Sequence, residues 1–194
     1  MERREQLRLL KGLIGHLDNK TNINAGGILK APADTYISEE RFEREWGAFF
    51  LNHPQIIGMS GDLPKPNTFI TTEDFGVPVL ATRNSKGEFK AYANVCSHRG
   101  VTVETLKRGE KSKFSCPFHG WTFNNDGGLI GYPKNEQFGE IDKDCYGLKE
   151  LPAVERFGFL WVHPRRDGKI DLDQLLGKEL TEEFRQWNFE SLVF

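Results

Sequence analysis

Cysteine is scarce in this 194-residue sequence, which contains only three. Such a small and odd number cannot build the disulfide framework of a small secreted domain, so we expect a reducing compartment with metal or redox roles for the thiols. A dominant charge is also lacking, because 26 Lys and Arg against 28 Asp and Glu leave a net charge of -2. This balance offers no electrostatic footprint for nucleic acid, and no nucleic-acid partner is expected.

Long hydrophobic runs are absent as well. No apolar run approaches the roughly 18 residues that a membrane-spanning helix needs, so we expect no membrane partner. The charged N-terminus leads into apolar residues spaced as on one face of a helix, at Leu7, Leu10, Leu13, Ile14 and Leu17. A secretory signal would be continuously apolar, and a transit peptide would lack acidic residues. We therefore expect a cytoplasmic chain.

The hydrophobic content of 38% and aromatic content of 12% are enough for one domain with its own core, plus appendages. Before that domain, Ser38 stands ahead of two glutamates, as an N-cap stands ahead of a helix. The spacing of the aromatic residues that follow predicts that this helix buries one face, formed by Phe42, Trp46, Phe49 and Phe50.

Beyond the segment GDLPKPN, short apolar runs alternate with turn residues. The runs predict strands at 68–72, 77–82, 89–95, 113–115, 121–123, 129–130 and 157–162. The sequences NSKG at 84–87 and NDGG at 125–128 are typical of hairpin turns. This texture predicts a mainly β fold, an antiparallel sandwich or small barrel, followed by short helices at 172–176 and 181–187.

Two short motifs carry metal-binding residues. CSHRG places Cys96 and His98 in a C-x-H pair, CPFHGW places Cys116 and His119 in a C-x-x-H pair, and 17 residues separate the pairs. In a Rieske centre one iron is held by two Cys and the other by two His, so each loop supplies one ligand of each kind. The mixed order in both motifs therefore predicts a [2Fe-2S] cluster.

Other metal sites fit the motifs less well. A Cys2His2 zinc site is chemically possible, although zinc fingers usually group Cys with Cys and His with His. A c-type haem needs a second Cys in C-x-x-C-H, and Phe118 occupies the position before His119. A zinc-stabilised domain remains the open alternative.

The neighbours of the ligands are typical of residues that surround a cluster. Gly100 and Gly120 follow the histidine turns and would let the backbone approach the cluster and donate N–H groups to its sulfurs. Pro117 would stiffen the second loop, and Trp121 offers a large apolar cover against water.

The stretches NVCSHRG and CPFHGWTFNNDGGLIGYP resemble the Rieske domain of the alpha (large) subunit of Rieske non-haem iron ring-hydroxylating oxygenases. The likeness covers roughly residues 41–164. It implies a Rieske-type antiparallel β-sandwich with a small cluster-binding subdomain and helical extensions at both ends. By this resemblance Cys96 and Cys116 hold one iron and His98 and His119 the other, while Arg99 and Trp121 match motif positions beside the cluster.

Other Rieske proteins are less similar. Those of the cytochrome bc complexes carry an extra Cys in each ligand loop, where this chain has Val101 and Phe118. Stand-alone Rieske ferredoxins are shorter and lack an extension such as residues 1–52. We expect this N-terminal helical extension, a Rieske domain at 53–164 and a C-terminal helical segment at 165–194. A stand-alone electron carrier without a catalytic site remains the alternative.

The resemblance also implies a mononuclear Fe(II) site, held by two His and a carboxylate in a C-terminal domain. The remaining histidines, His16, His53 and His163, lie far apart in the sequence and are expected to be surface or packing residues. We therefore expect that site, and all catalytic residues, outside this chain. The apolar ending WNFESLVF favours a piece of a longer subunit.

The family implies that a ferredoxin or reductase passes electrons from NAD(P)H to the cluster and on to the mononuclear iron. Dioxygen activated there would hydroxylate an aromatic or similar apolar substrate, as in aromatic hydrocarbon catabolism, within a trimer-based homo- or hetero-oligomer. Cys145 is expected to be an incidental thiol. The segment LKRGEKSK is interpreted as a solvated hairpin, with a docking face for an acidic electron donor as the alternative.

Overall fold

The turn residues in the central part of the sequence separate it into short antiparallel strands. The computed structural model describes residues 1–23, 26–137, 139 and 141–192. Its strands are β1 (Gln55–Met59), β2 (Thr68–Thr72), β3 (Val79–Arg83), β4 (Phe89–Ala93), β5 (Arg108–Glu110), β6 (Lys113–Ser115), β7 (Thr122–Asn124), β8 (Leu129–Gly131), β9 (Glu150–Leu151), β10 (Ala153–Arg156) and β11 (Phe159–Val162). The mainly β, antiparallel prediction is confirmed.

Helices stand before and after the strands. They are α1 (Arg3–Asn19), α2 (Asp34–Ile37), α3 (Glu39–Glu45) and α4 (Leu172–Trp187). The chain divides into two compact units, Met1–Phe42 and Glu43–Phe194. No helix within the described residues is long and apolar enough to cross a membrane.

The strands form three sheets in the second unit. The largest has the order β5-β2-β3-β4-β9, and two three-stranded sheets have the orders β1-β11-β10 and β6-β7-β8. All the named pairings are antiparallel. The five-stranded sheet contributes side chains to both of the buried cores described below, so it is the centre of the fold.

The alternation of side chains along the central strands creates these two cores. Successive residues of a strand point to opposite faces of the sheet. On β2, Phe69 packs with Phe114 and Phe123 of the β6-β7-β8 sheet, in the same buried cluster as the loop cysteines. The next residue, Ile70, belongs to the other core together with Leu160 of β11. The core that contains Phe69 therefore also buries the cysteines of the two loops that carry the candidate metal ligands.

Both predicted hairpin turns are present and use the same chemistry. Gly87 N–H donates to the carbonyl of Asn84 at the β3–β4 turn, and Gly127 N–H donates to that of Asn124 at the β7–β8 turn. Each asparagine also accepts two backbone N–H groups on its side-chain oxygen. Asn favours such turns because its side chain replaces a backbone acceptor.

The aromatic helix differs from its prediction. The Ser38 cap is confirmed, since the N–H of Arg41 donates to its hydroxyl at 3.2 Å. However, regular α-helix ends at Glu45 and continues as a π-helical turn over Trp46–Leu51. A π turn closes its hydrogen bonds one residue later than an α-helix, so residues spaced for an α-helix no longer share a face. The predicted buried aromatic face is wrong, because Phe42 and Phe49 are largely exposed.

One other prediction is wrong, and one is confirmed. The segment LKRGEKSK is not a hairpin. Its residues Arg108–Glu110 form β5 and pair with β2, whereas its last residue, Lys113, begins β6, which pairs with β7 in a different sheet. The two short helices predicted at 172–176 and 181–187 are confirmed, because Gly177 interrupts the helical backbone of α4 between them with a φ of 66°.

Candidate metal centre

The first ligand loop joins β4 to β5 and is closed by two backbone hydrogen bonds. Cys96 N–H donates to the carbonyl of Val101 at 2.8 Å, and Gly100 N–H donates to the carbonyl of Cys96 at 2.9 Å. Gly100 has a φ of +74°, a backbone conformation that residues with a Cβ rarely adopt. The glycine therefore allows the chain to turn back within five residues and carry His98 at the tip.

The second loop, between β6 and β7, repeats this pattern. Cys116 N–H donates to the carbonyl of Trp121 at 2.8 Å, and Gly120 N–H donates to the carbonyl of Cys116 at 2.9 Å. Gly120 has a φ of +69°, and an added Cβ would lie 3.0 Å from the ring of Pro133. The two loops thus have the same hydrogen-bonded frame, with His119 one position later than its counterpart.

The backbone N–H groups of the ligand loops have two kinds of acceptor. The N–H groups of Gly100 and Gly120 donate to the carbonyls of Cys96 and Cys116. At Cys96, the backbone N–H groups of His98 and Arg99 are the donors to the sulfur. Such hydrogen bonds stabilise a thiolate, and they tune a bound metal in the same way.

The two cysteines lie at the buried end of the site. Cys96 is 2% exposed and Cys116 is 3% exposed, and both belong to the aromatic core under the loops. Their thiols are close enough to share a hydrogen bond. Burial, and then the neighbouring Cys116, raise the pKa of Cys96 above its usual value, although the N–H donors of its loop oppose this. Metal binding must therefore displace a proton from the Cys96 thiol.

The two histidines lie nearer the surface and close to each other. Their ring centroids are 4.8 Å apart, with the planes at 68°. Burial lowers the pKa of His98, and the positive charges of His119 and Arg99 lower it further. The neutral imidazole is the form that binds metals, so this environment keeps His98 in its metal-binding state.

The donor set fits a two-iron cluster. The thiols of Cys96 and Cys116 are paired with each other, and the imidazoles of His98 and His119 are paired with each other. Among the described residues, no three His, Cys, Asp or Glu side chains are grouped to hold one ion. The four donors are therefore arranged as two pairs of like ligands, as a Rieske cluster requires.

Aromatic residues surround the histidines. The indole of Trp121 stacks on His98 with ring centroids 4.8 Å apart and planes at 4°, and it contacts Tyr132 and Tyr146. Sequence reasoning predicted the cover by Trp121 but missed Tyr146, because nothing in its sequence context indicates its position. A cavity of about 420 Å³ opens beside the site and is lined by His98, Arg99, Phe118, His119, Trp121, Pro133, Lys134 and Gln137.

Cys145 is exposed, whereas Cys96 and Cys116 are buried. Its sulfur donates to a carboxylate oxygen of Asp142 at 3.2 Å. This hydrogen bond and the negative charge of Asp142 raise the pKa of Cys145, so the thiol stays protonated. A protonated thiol is a poor nucleophile and a poor metal ligand.

The other three histidines are in unrelated environments. His16 is half-buried and forms a hydrogen bond with Thr21, whereas His53 is exposed. His163 is buried, and its Nδ1 accepts the N–H of Arg165 at 3.1 Å. These contacts give His163 a packing role in the turn after β11.

The basic segment between the ligand loops is partly neutralised. Arg108 forms an ion pair with Asp62, and Lys111 forms one with the buried carboxylate of Glu104. Two of its four cations are therefore bound to acidic residues of the same chain, which weakens the interpretation as a docking face.

Comparison with known proteins agrees with this geometry. Residues 53–154 match the family model "Rieske [2Fe-2S] domain". The alpha subunit of toluate 1,2-dioxygenase from Pseudomonas putida is 33% identical over 157 residues, which cover 78% of this chain and 34% of that one. The large oxygenase component of the naphthalene 1,2-dioxygenase system from Pseudomonas aeruginosa is 36% identical over 146 residues, covering 74% and 32%.

Solved structures show the same fold. Naphthalene 1,2-dioxygenase with indole bound superposes with a TM-score of 0.67 at 28% identity, covering 74% of this chain and 33% of that one. The apo form of the quaternary ammonium Rieske monooxygenase CntA gives a TM-score of 0.70 at 28% identity, covering 81% and 45%. The chain spans about a third of the length of the curated relatives described above. It belongs to the Rieske [2Fe-2S] domain family, with a Rieske-type fold and a [2Fe-2S] cluster as its cofactor.

Proposed function

We propose that this chain is the electron-transfer portion of a ring-hydroxylating oxygenase alpha subunit. The observation that carries the proposal is the pairing of like donors across two loops, with two buried thiols and two imidazoles nearer the surface. The relatives that support the oxygenase assignment are alpha or large subunits of dioxygenases.

Within this proposal, Cys96 and Cys116 hold one iron and His98 and His119 hold the other. When bound, the cluster supplies one-electron storage. Neutral imidazoles in place of two thiolates make the site less negative, so it accepts an electron more readily than an all-Cys cluster. Arg99 places a further positive charge close to His98, and this charge also favours the reduced state of the cluster.

The protein controls access of water and of redox partners to the site. The aromatic core covers the cysteine side, whereas the histidines border an open cavity and His98 is partly covered by the indole of Trp121. The histidine side is therefore the shorter route for an electron between the cluster and a partner at the surface. Gly100, Gly120 and Trp121 support the ligands, through the closed loop frames and the stacked ring.

The remaining parts of the system belong to the same proposal. A ferredoxin or reductase would deliver electrons, and a mononuclear Fe(II) in a C-terminal catalytic domain would receive them for hydroxylation of an aromatic or similar apolar substrate. The Rieske domain would span 53–164, between helical segments at 1–52 and 165–194, in a trimer-based oligomer. A cytoplasmic location fits the three cysteines, which are free thiols.

The proposal is tested by loading the full chain with iron and sulfide under anaerobic conditions. We expect two irons and two sulfides per chain, a coloured protein, and an EPR signal after uptake of one electron. The chain should show no hydroxylation by itself, even with a reductase and NADH. A chain that stays colourless after this loading, and that binds one zinc ion more tightly than it binds iron, would overturn the assignment.

A further inference from the structure

We propose that Trp121 is the positioning residue for His98 and fixes the plane of its imidazole in the loop. The two rings are almost parallel, with an angle of 4° and centroids 4.8 Å apart. The tryptophan comes from the second ligand loop and the histidine from the first, so the stack ties the two loops together. This inference rests on the ligand assignment in the proposed function, because it concerns the orientation of a ligand.

The indole is itself held firmly. Trp121 is 2% exposed and lies in the same core as Phe114 and Phe123. Its carbonyl accepts the N–H of Cys116, and the chain continues directly into β7. The rings of Tyr132 and Tyr146 contact it at centroid distances of 5.7 Å and 5.6 Å. Because close-packed interiors allow little rotation of a large ring, the core sets the indole plane and the imidazole follows it.

The second histidine has a different aromatic neighbour. His119 lies against Phe118, at a centroid distance of 3.9 Å and a tilt of 35°. Phe118 is the preceding residue of the same loop and is 58% exposed. An exposed side chain on the same loop moves with its neighbour, so it cannot fix that neighbour as a buried ring from another element can. The two ligand imidazoles are therefore positioned unequally, with His98 as the more rigid one.

The stack has a consequence for the cluster. Partners that orient a metal-binding histidine typically account for about 10-fold to 100-fold in metal affinity. Without the indole, the His98 ring can rotate about its side-chain bonds, and water from the adjacent cavity can reach it. We therefore expect faster cluster loss and a broader distribution of ligand orientations in a Trp121→Leu chain.

The first experiment uses the full chain without metal. In NMR spectra of ring-labelled histidine, assigned with a His98→Ala variant, the His98 ring protons should be shifted upfield by the stacked indole. Trp121→Leu should remove this shift, whereas Trp121→Phe should keep part of it. Trp161→Leu is the matched control, because Trp161 is almost equally buried but lies in β11. An unchanged His98 shift in Trp121→Leu, or an equal loss in Trp161→Leu, would overturn the proposal.

The second experiment uses the chain loaded with iron and sulfide. Cluster release to a chelator should be about 10-fold to 100-fold faster in Trp121→Leu than in Trp161→Leu, with broadened EPR lines, and Trp121→Phe should restore most of the lifetime. Equal release rates and line shapes in the two Leu variants would contradict the positioning role. If Trp121→Leu does not fold, a Trp121→Phe chain with an unchanged His98 shift overturns the proposal. Failure of the wild-type chain to form a cluster refutes the proposed function, while the metal-free NMR experiment still tests the stack.

Discussion

The imidazole rings of His98 and His119 lie with their centroids 4.8 Å apart, although they belong to separate loops. In each loop the sequence order is thiol first and imidazole second. The fold sorts these donors by depth, so that the thiols meet in the core and the imidazoles meet near the surface. This sorting turns two mixed pairs in sequence into two like pairs in space.

Replacing either histidine by alanine should abolish a stable cluster. An open coordination position in a loop next to a cavity exposes the iron to water and chelators, so we expect at least a 10-fold loss of bound iron, as for removal of metal-ligand support generally. Iron and sulfide analysis with visible absorption measures this for His98→Ala and His119→Ala. The control is Cys145→Ser, which should keep full colour because that thiol hydrogen-bonds to Asp142 at the surface. Loss of the cluster from Cys145→Ser would refute the ligand assignment.

The reduction potential should depend on pH only at alkaline pH. A histidine bound through one ring nitrogen keeps a proton on the other nitrogen, and it loses this proton more readily when the iron is ferric. The oxidised cluster would therefore shed protons from its histidine ligands that the reduced cluster keeps. The potential should stay flat near neutral pH and then fall by about 59 mV per pH unit for each proton. Protein-film voltammetry measures this, and a flat potential over the whole stable pH range would count against histidine ligation.

The ion pair of Arg83 and Glu155 should stabilise the protein above acid pH. It joins β3 of the central sheet to β10 through two hydrogen bonds of 2.9 Å. Burial favours the neutral form of Glu155, but the hydrogen bonds and charge of Arg83 outweigh it and lower the pKa. A lowered folded-state pKa means that the stabilisation is present above the unfolded-state pKa and is lost as the pH falls through the folded-state pKa.

Glu155→Gln should therefore lower the free energy of unfolding at pH 7 by about 1 kcal/mol, with a difference that shrinks towards zero at low pH. Urea denaturation of the metal-free chain across pH gives this difference. The exposed pair of Lys65 and Glu110 provides the comparison, since Glu110→Gln should change the stability by only about 0.5 kcal/mol. Equal effects of Glu155→Gln and Glu110→Gln at pH 7 would show that the Arg83–Glu155 pair contributes no more than an exposed pair.

Gly127→Ala should destabilise the β7–β8 hairpin more than Gly87→Ala destabilises the β3–β4 hairpin. Both glycines have positive φ, +77° and +84°, so alanine costs about 1–2 kcal/mol at either position. A Cβ at Gly127 would also lie 2.4 Å from the ring of Tyr92, whereas at Gly87 it would meet no described atom within 4 Å. The overlap should add about 1–3 kcal/mol, measured by thermal or urea unfolding. Equal losses in the two variants would contradict this account.

The sequence predicts those parts of the fold that have a local signal. The strand at 68–72 has an apolar centre, and the hairpin turns contain Asn and Gly at positions that need them. Strand β5 was missed because its sequence, RGE, has no apolar residue, and it forms only by backbone pairing with β2. The exposed Phe42 and Phe49 were assigned to a buried face because spacing alone does not reveal a π-helical turn.

The candidate site also combines features that the sequence predicts with features that it does not predict. The ligand motifs are readable because the chemistry fixes both residue type and spacing. The contact of Tyr146 with Trp121 cannot be predicted from the sequence, because it depends on how the loop after β8 packs against the core that contains Trp121. The interpretation of LKRGEKSK as a hairpin failed for a related reason: a lysine-rich segment carries no signal for the change from one sheet to another.

The central claim is that one iron of a two-iron cluster is held by His98 and His119. Pulsed EPR of the reduced, iron- and sulfide-loaded chain tests it most directly, because strong nitrogen couplings report directly bound imidazoles. With ring-labelled ¹⁵N-histidine, we predict two strongly coupled histidine nitrogens in the wild-type chain, and a wild-type spectrum for a His163→Gln control. A reduced cluster with no strongly coupled histidine nitrogen, or with only one, would contradict the account.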